Sequence, residues 1–228
     1  KDPTATNFVD PLVPVDYHAD SYGLAQLQYQ DSFAGDTLQV SGRLFAGRYR
    51  YDATLPYATL FSFPAEGDFR GTEWRLLSTA VAGHKLMLGI EAQDNVRTDQ
   101  SVNDLADPAN SFTIAQSGYR IGIYAQDEWR VGATLTATLG LRVDRNNATG
   151  TKTSPRAALI WQATPATTLK ALAGRAHRAP NVYESQYDDV FSQVSNPALD
   201  GERIDTIELV ADHRIGSDLA LRGSLYEW

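Results

Sequence analysis

Between Ala133 and Asp144 apolar and polar positions alternate without a break. Ala133, Leu135, Ala137, Leu139, Leu141 and Val143 are apolar, and Thr134, Thr136, Thr138, Gly140, Arg142 and Asp144 between them are polar or small. Side chains of a strand point to opposite faces in turn, so this period predicts a strand with one apolar and one polar face. It is also longer than the ~5–6 residues usual in a soluble sheet. The preceding segment repeats the pattern. Tyr119, Ile121, Ile123, Ala125, Trp129 and Val131 share a face, with Asp127 as the exception; Gly118, Arg120, Gly122, Gln126, Glu128 and Arg130 lie opposite, joined by Tyr124. Pairing the two segments with their apolar faces together needs a connection of odd length. Val131-Gly132-Ala133 supplies a three-residue one, in which Gly132 is able to take a positive φ.

The same alternation recurs in Leu38, Val40, Leu44 and Ala46, in Leu86, Leu88, Ile90 and Ala92, and in Leu219, Leu221 and Leu225. Further strands are predicted near residues 21–31, 69–81, 154–163, 167–177 and 203–213, which makes about ten in all. From Leu169 to Ala176 the alternation is poor and leaves the register open. Short turns fall near residues 33–36, 82–83, 131–133, 164–166 and 215–217, and longer connections near 50–67, 94–116, 145–153 and 178–202. Short and long connections alternating in this way characterise outer-membrane barrels, with tight periplasmic turns and long external loops. Tyr119 and Trp129 sit ten residues apart on one face. At ~3.3 Å per residue and a tilt near 40° they are separated by roughly 25 Å along the membrane normal, the height of the band that aromatic girdles flank.

Composition narrows the function classes. The chain has 228 residues, 43% of them hydrophobic, and a formal net charge of -8. No basic stripe is visible, which argues against a nucleic-acid partner. There are no cysteines, so disulfides and thiolate metal sites are excluded. No apolar run is long enough for a transmembrane helix, and a strand-built membrane protein would not show one. Lys1-Asp2-Pro3-Thr4 does not read as a leader, and Leu225-Tyr226-Glu227-Trp228 falls inside a strand, so a piece of a longer protein is expected.

Several motifs then occur in a fixed order. Tyr124-Ala125-Gln126-Asp127-Glu128-Trp129-Arg130 followed by Leu139-Gly140-Leu141-Arg142-Val143-Asp144 resembles a hairpin of the TonB-dependent receptors. Ser154-Pro155-Arg156-Ala157-Ala158-Leu159 resembles their "SPR" strand, and Gly174-Arg175-Ala176-His177-Arg178-Ala179-Pro180-Asn181 their "FRAP"-like strand end, with His177 where Phe is common. Asn196-Pro197-Ala198-Leu199-Asp200-Gly201-Glu202 resembles "NPxLxPE", with Gly201 in place of Pro, and Glu208-Leu209 falls where the next strand begins. Upstream, His84 to Glu91 fits a barrel hairpin of the same family. The resemblance implies an all-β, antiparallel transmembrane barrel in the bacterial outer membrane, of which residues 1–228 are a partial domain: about ten strands of 22, with the N-terminal plug absent. It further implies energy-dependent uptake of a scarce nutrient, such as a ferric siderophore or a cobalamin. The partners would be outer-membrane lipid, that small-molecule ligand and, through the missing plug, TonB.

The candidate ligand-binding residues lie in the connection 178–202, where Tyr183, Tyr187 and Phe191 interleave with Glu184, Asp188 and Asp189. Loops on a rigid scaffold often carry binding residues, and tyrosine offers a large contact area with a hydrogen-bonding tip. Tyr183, Glu184, Tyr187 and Asp188 are therefore the candidates, on an acidic aromatic rim that suits a neutral or cationic cargo. The alternative is that these aromatics pack the loop onto itself. His18, His84, His177 and His213 show no metal-ligand spacing, and Asp144 to Ala148 lacks the later positions of a calcium loop. No nucleophile elbow, Walker loop or zinc-hydrolase helix occurs, so neither an enzyme nor a cofactor is expected. Two other readings stay open: a soluble β-sandwich binding module, and another outer-membrane barrel such as an adhesin or enzyme.

Overall fold

The computed structural model describes residues 17–57, 59–188 and 193–228. They form one antiparallel sheet of eleven strands. In chain order these are β1 (Tyr17–Phe33), β2 (Leu38–Pro56), β3 (Leu60–Ser62), β4 (Ala65–Ser78), β5 (His84–Asp104), β6 (Phe112–Arg130), β7 (Leu135–Asn146), β8 (Gly150–Thr164), β9 (Thr167–Arg178), β10 (Glu202–Ile215) and β11 (Leu219–Glu227). Ten match the strands expected from alternation. The eleventh, β3, is a short bridge between the outer ends of β2 and β5.

Hydrogen-bond register carries the apolar face across the whole sheet. One row runs Val40–Leu76–Leu88–Ala125–Leu141–Pro155. Another runs Trp129–Ala137–Leu159–Ala171–Leu209–Leu225, which fixes the uncertain β9 with Leu169, Ala171 and Ala173 on this face. These side chains are not buried against protein: Leu139 is 65% exposed, Ile207 61% and Leu225 73%. A surface so apolar and so open needs lipid, not water, as its solvent. The opposite face is laced with ion pairs. Arg43 meets Glu73 at 2.7 Å, Arg142 bridges Glu91 and Asp144 at 2.7 Å each, and Lys170 meets Asp212 at 2.8 Å. That is the chemistry of a wet lumen.

Glycines on the lumen face make room for large neighbours. A methyl group at Gly89 would collide with the ring of Tyr124, and one at Gly71 with that of Phe45. Each ring thus lies flat across the neighbouring strand, covering backbone that would otherwise be bare. On the lipid face Asp127, the exception to the pattern, has a partner: it meets His84 Nδ1 at 2.8 Å, and the His84 ring stacks on Trp129 at 5.6 Å.

The belt of interfacial aromatics climbs across the sheet. Register takes Trp129 on β6 to Leu159 on β8, but the tryptophan of β8 is Trp161, one outward position further toward the short turns. A belt of constant depth therefore steps by about one residue per strand. With ~3.3 Å rise and ~4.8 Å strand spacing, this is a tilt of roughly 35°, at the edge of the ~35–45° of outer-membrane barrels.

The connections differ from expectation in two ways. Arg130 pairs Thr136, so the β6–β7 loop has two more residues than Val131-Gly132-Ala133; the parity is kept, which is what the apolar face requires. Gly132 does not take the positive φ open to it; Gly35, Gly83 and Gly216 do so in turns, and Gly150 does so as the first residue of β8. Three of the four long connections are shorter than expected, because their strands continue: β2 to Pro56, β5 to Asp104, and β7 to Asn146 with β8 starting at Gly150.

Within β5 the side-chain sense reverses. Phe69 pairs Asn95 but Asp68 pairs Arg97, leaving Val96 as an extra residue, a β-bulge. Below it Leu86, Leu88 and Ile90 face lipid; above it Val102 and Asp104 turn to the lumen side. There they join Ala53 and Ile114 in a small core at the outer tip; Ala53, Val102 and Ile114 are the buried hydrophobic side chains among the described residues, and Asp104 the buried polar one. The Asp104 carboxylate accepts from Thr59 Oγ1 at 2.9 Å, Ala106 N at 2.9 Å, Asp107 N at 3.2 Å and Asn110 Nδ2 at 3.2 Å. Burial alone would raise its pKa, but these donors outweigh it and hold the carboxyl below its ordinary value.

Candidate functional site

The long connection between β9 and β10 keeps the length that the sequence predicted. It opens at Arg178, passes through a short helix α1 (Val182–Gln186) and rejoins the sheet at Glu202. The helix starts where a cap is available: Asn181 Oδ1 accepts from Glu184 N at 2.8 Å, and Glu184 Oε2 accepts from Asn181 N at 2.9 Å. This reciprocal capping box satisfies two donors that a helix start leaves open.

Glu184 also latches the loop to the barrel. Arg178 donates to Glu184 Oε2 at 2.8 Å and to Glu202 through two nitrogens at 2.8 and 3.0 Å. Hydrogen bonding by Arg178 is the main reason both carboxyls lie below their ordinary values. The same two partners raise the Arg178 guanidinium. Further along, Lys152 on β8 holds Asp200 at 2.9 Å.

The loop then reaches over the mouth. Tyr187 packs edge-on against Phe112 at the start of β6, with ring centroids 4.9 Å apart, and Tyr183 lies 4.4 Å from Tyr187. Arg178, Glu202, Lys152 and Phe112 all belong to the lumen-facing positions of their strands. The loop therefore folds inward across β7 and β8, whose three-residue connection is too short to obstruct it.

The four candidates thus occupy one loop, in unequal situations. Tyr183 presents its ring outward, 47% exposed. Tyr187 is half-buried between Tyr183 and Phe112. Glu184 is neutralised by Arg178, and Asp188 is exposed, accepting from Ser195 N and Oγ at 3.3 and 3.1 Å. The rim is less acidic than the sequence suggested. Asp189 and Phe191 lie outside the described residues. Sequence reading missed Phe112, because it sits where alternation stops; its signal would have been an aromatic beside a break in the pattern. Among the described residues no group of three or more His, Asp or Glu could hold a metal ion.

Comparison with known proteins agrees with this architecture. Over residues 3–227 the chain matches the family described as TonB dependent receptor-like, beta-barrel. Over 151 residues it is 27% identical to the iron-regulated outer membrane virulence protein of Vibrio cholerae serotype O1, covering 63% of this chain and 22% of that protein. Its fold is similar to that of the ferric enterobactin receptor of Pseudomonas aeruginosa, with a TM-score of 0.69 at 17% identity, covering 92% of this chain and 34% of that one. The ferric yersiniabactin uptake receptor of Yersinia pestis gives a TM-score of 0.70 at 13% identity, covering 92% and 36%. The chain thus spans about a fifth to a third of the length of these relatives. Receptors of this kind are transporters of the outer membrane, not enzymes. With its lipid-facing sheet, ionic lumen wall and inward-folded outer loop, the chain belongs to the TonB-dependent receptor β-barrel family.

Proposed function

We propose that this chain forms one wall of a receptor that imports a ferric siderophore, with the plug and the remaining strands lying elsewhere in the protein. Import would be driven by TonB acting on the plug. The solved relatives named for ferric enterobactin and ferric yersiniabactin favour an iron chelate over a cobalamin. The observation that carries the reading is the aromatic loop latched over the lumen side of the outer mouth, with the Tyr183 ring open to solvent. A ring on a rigid support gives contact area at little entropic cost. Tyr183 is the contacting residue of this proposal, Asp188 a hydrogen-bond acceptor beside it, and Tyr187 and Glu184 hold the loop in place.

The test is binding of a panel of ferric siderophores by the intact receptor at equal surface abundance. Tyr183→Ala is expected to weaken the bound member roughly two- to tenfold, the scale of one aromatic contact. Tyr187→Ala should weaken binding too, but through a loosened loop seen as faster hydrogen exchange over residues 179–188. An unchanged Kd in both variants for every siderophore the wild type binds would remove the loop from the site.

A further inference from the structure

The lipid face is not uniform. One hydrogen-bonded row reads Leu139–Ala157–Ala173–Ile207, two small residues between two large ones. With Ala125 and Pro155 the alanines floor an outward groove of about 840 Å³, and Arg175 and Asp205 close its outer end. Its apolar part lies on the lipid face, and its charged end is the one nearer the long connections.

The charge at that end has the opposite sign to the whole chain, whose net charge is -8. Arg175 and Arg203 share a single acid: Arg175 donates to Asp205 at 2.6 and 3.3 Å, and Arg203 reaches it at 3.1 Å. His177 stands across from Arg203 in the register. On β7, two strands away, Arg145 is exposed on the same face and forms no ion pair among the described residues. One carboxylate therefore orients two guanidiniums and leaves an excess of positive charge facing outward. A guanidinium fork matches phosphate oxygens, and cations at a membrane surface attract anionic headgroups.

We propose that this groove is a binding site for a phosphate-bearing lipid of the external leaflet. Its acyl chains lie along Ala125, Pro155, Ala157 and Ala173, and its phosphate sits on Arg175 and Arg203 with Arg145 within reach of a second phosphate. The small residues explain why the tails settle here and not elsewhere on the wall: the row has no side chains to displace. The site is on the outside of the barrel and does not depend on which cargo passes through the lumen.

Native mass spectrometry of the intact receptor, exchanged into detergent with equal amounts of bisphosphorylated lipid A and phosphatidylethanolamine, tests this. The wild type should retain the phosphorylated lipid roughly tenfold or more over the zwitterionic one. Arg175→Gln with Arg203→Gln should abolish that preference, while Arg175→Lys keeps part of it. Ala157→Leu with Ala173→Leu should lower retention of the phosphorylated lipid while the arginines are intact. Arg70→Gln, on a distant part of the same face, should change nothing. Folding of each variant is checked by its β-sheet circular dichroism. Equal retention by wild type and the double arginine variant would overturn the proposal. So would an equal loss in Arg70→Gln, or displacement of the lipid by inorganic phosphate with no effect of the alanine substitutions.

Discussion

Ile114 and Ile123 stand on the same strand, β6, in opposite circumstances. Ile114 is 6% exposed, packed with Ala53 and Val102 above a hydrogen-bonded Asp104; Ile123 is 58% exposed, on the lipid face. The outer tip is stabilised as a soluble protein is, by removing apolar surface from water. The wall is not, because lipid tails are as apolar as the side chains that touch them. There the strands are held by backbone hydrogen bonds, which have no substitute inside a membrane. The same polypeptide thus obeys two solvents, and the change comes near Val96 on β5.

The largest expected effect removes the second solvent altogether. Among the described residues β1 pairs only with β2 and β11 only with β10, so within them both edges present unpaired backbone groups. Residues 1–228 expressed alone in buffer without detergent should aggregate, as light scattering would show. A stable monomer there would mean that the apolar face has another cover and would favour a soluble fold. Next, Leu139→Arg in the intact receptor should impair assembly, since arginine in the middle of the lipid face costs ~2–4 kcal/mol. Thr138→Arg, one residue away on the lumen side, should be tolerated. The folded fraction in outer-membrane preparations separates the two, and equal damage would dissolve the distinction between faces.

The comparison within β6 can be measured directly. Ile114→Ala should destabilise the tip by ~2–5 kcal/mol, the usual cost of emptying a packed site. Ile123→Ala should cost much less, because lipid fills the space. Hydrogen exchange at residues 100–115 should rise in the first variant and stay unchanged in the second. The smallest effect concerns the loop latch. Glu184 and Glu202 have folded pKa values below their ordinary ~4.3, so their contribution is complete above that pH and is lost as pH falls through the lowered values. Protection factors in residues 179–188, which correct exchange for its intrinsic pH dependence, should therefore be flat from pH 7 to about 5 and fall only in stronger acid. Arg178→Gln should lower them between pH 5 and 7 and make little difference once both carboxyls are protonated.

How much of this was legible follows from where alternation persists. In the band each strand meets lipid on one side and water on the other, so Ala133 to Asp144 declares its faces residue by residue, and register follows from parity alone. Beyond the band both faces of a strand are wet or packed on protein, and the pattern that marks a strand fades. Residues 94–104 and 112–116 therefore read as loop although they belong to β5 and β6. Asp127 looked like an error because its partner, His84, is distant in sequence. The candidate loop was legible in position and aromatic content, through the motifs around Arg178 and Asn196. Its electrostatics were not: that Glu184 is both cap and latch depends on Arg178 lying within 2.8 Å, which spacing alone does not fix.

The bulge at Val96 also bears on how such a receptor can change over generations. One residue inserted in the lower half of β5 would swap Leu88 and Ile90 with Glu91, sending carboxylate to lipid and leucine to the lumen, and such a chain would not be inserted. The same event above the belt re-sorts only Val102, Asp104 and their neighbours at the mouth. The extra residue at position 96 is accommodated in just this way, by a reversal of side-chain sense above the belt. It marks a boundary above which the strand ends can be lengthened, shortened or recut one residue at a time, giving the mouth a freedom of sequence that the wall beneath it is denied.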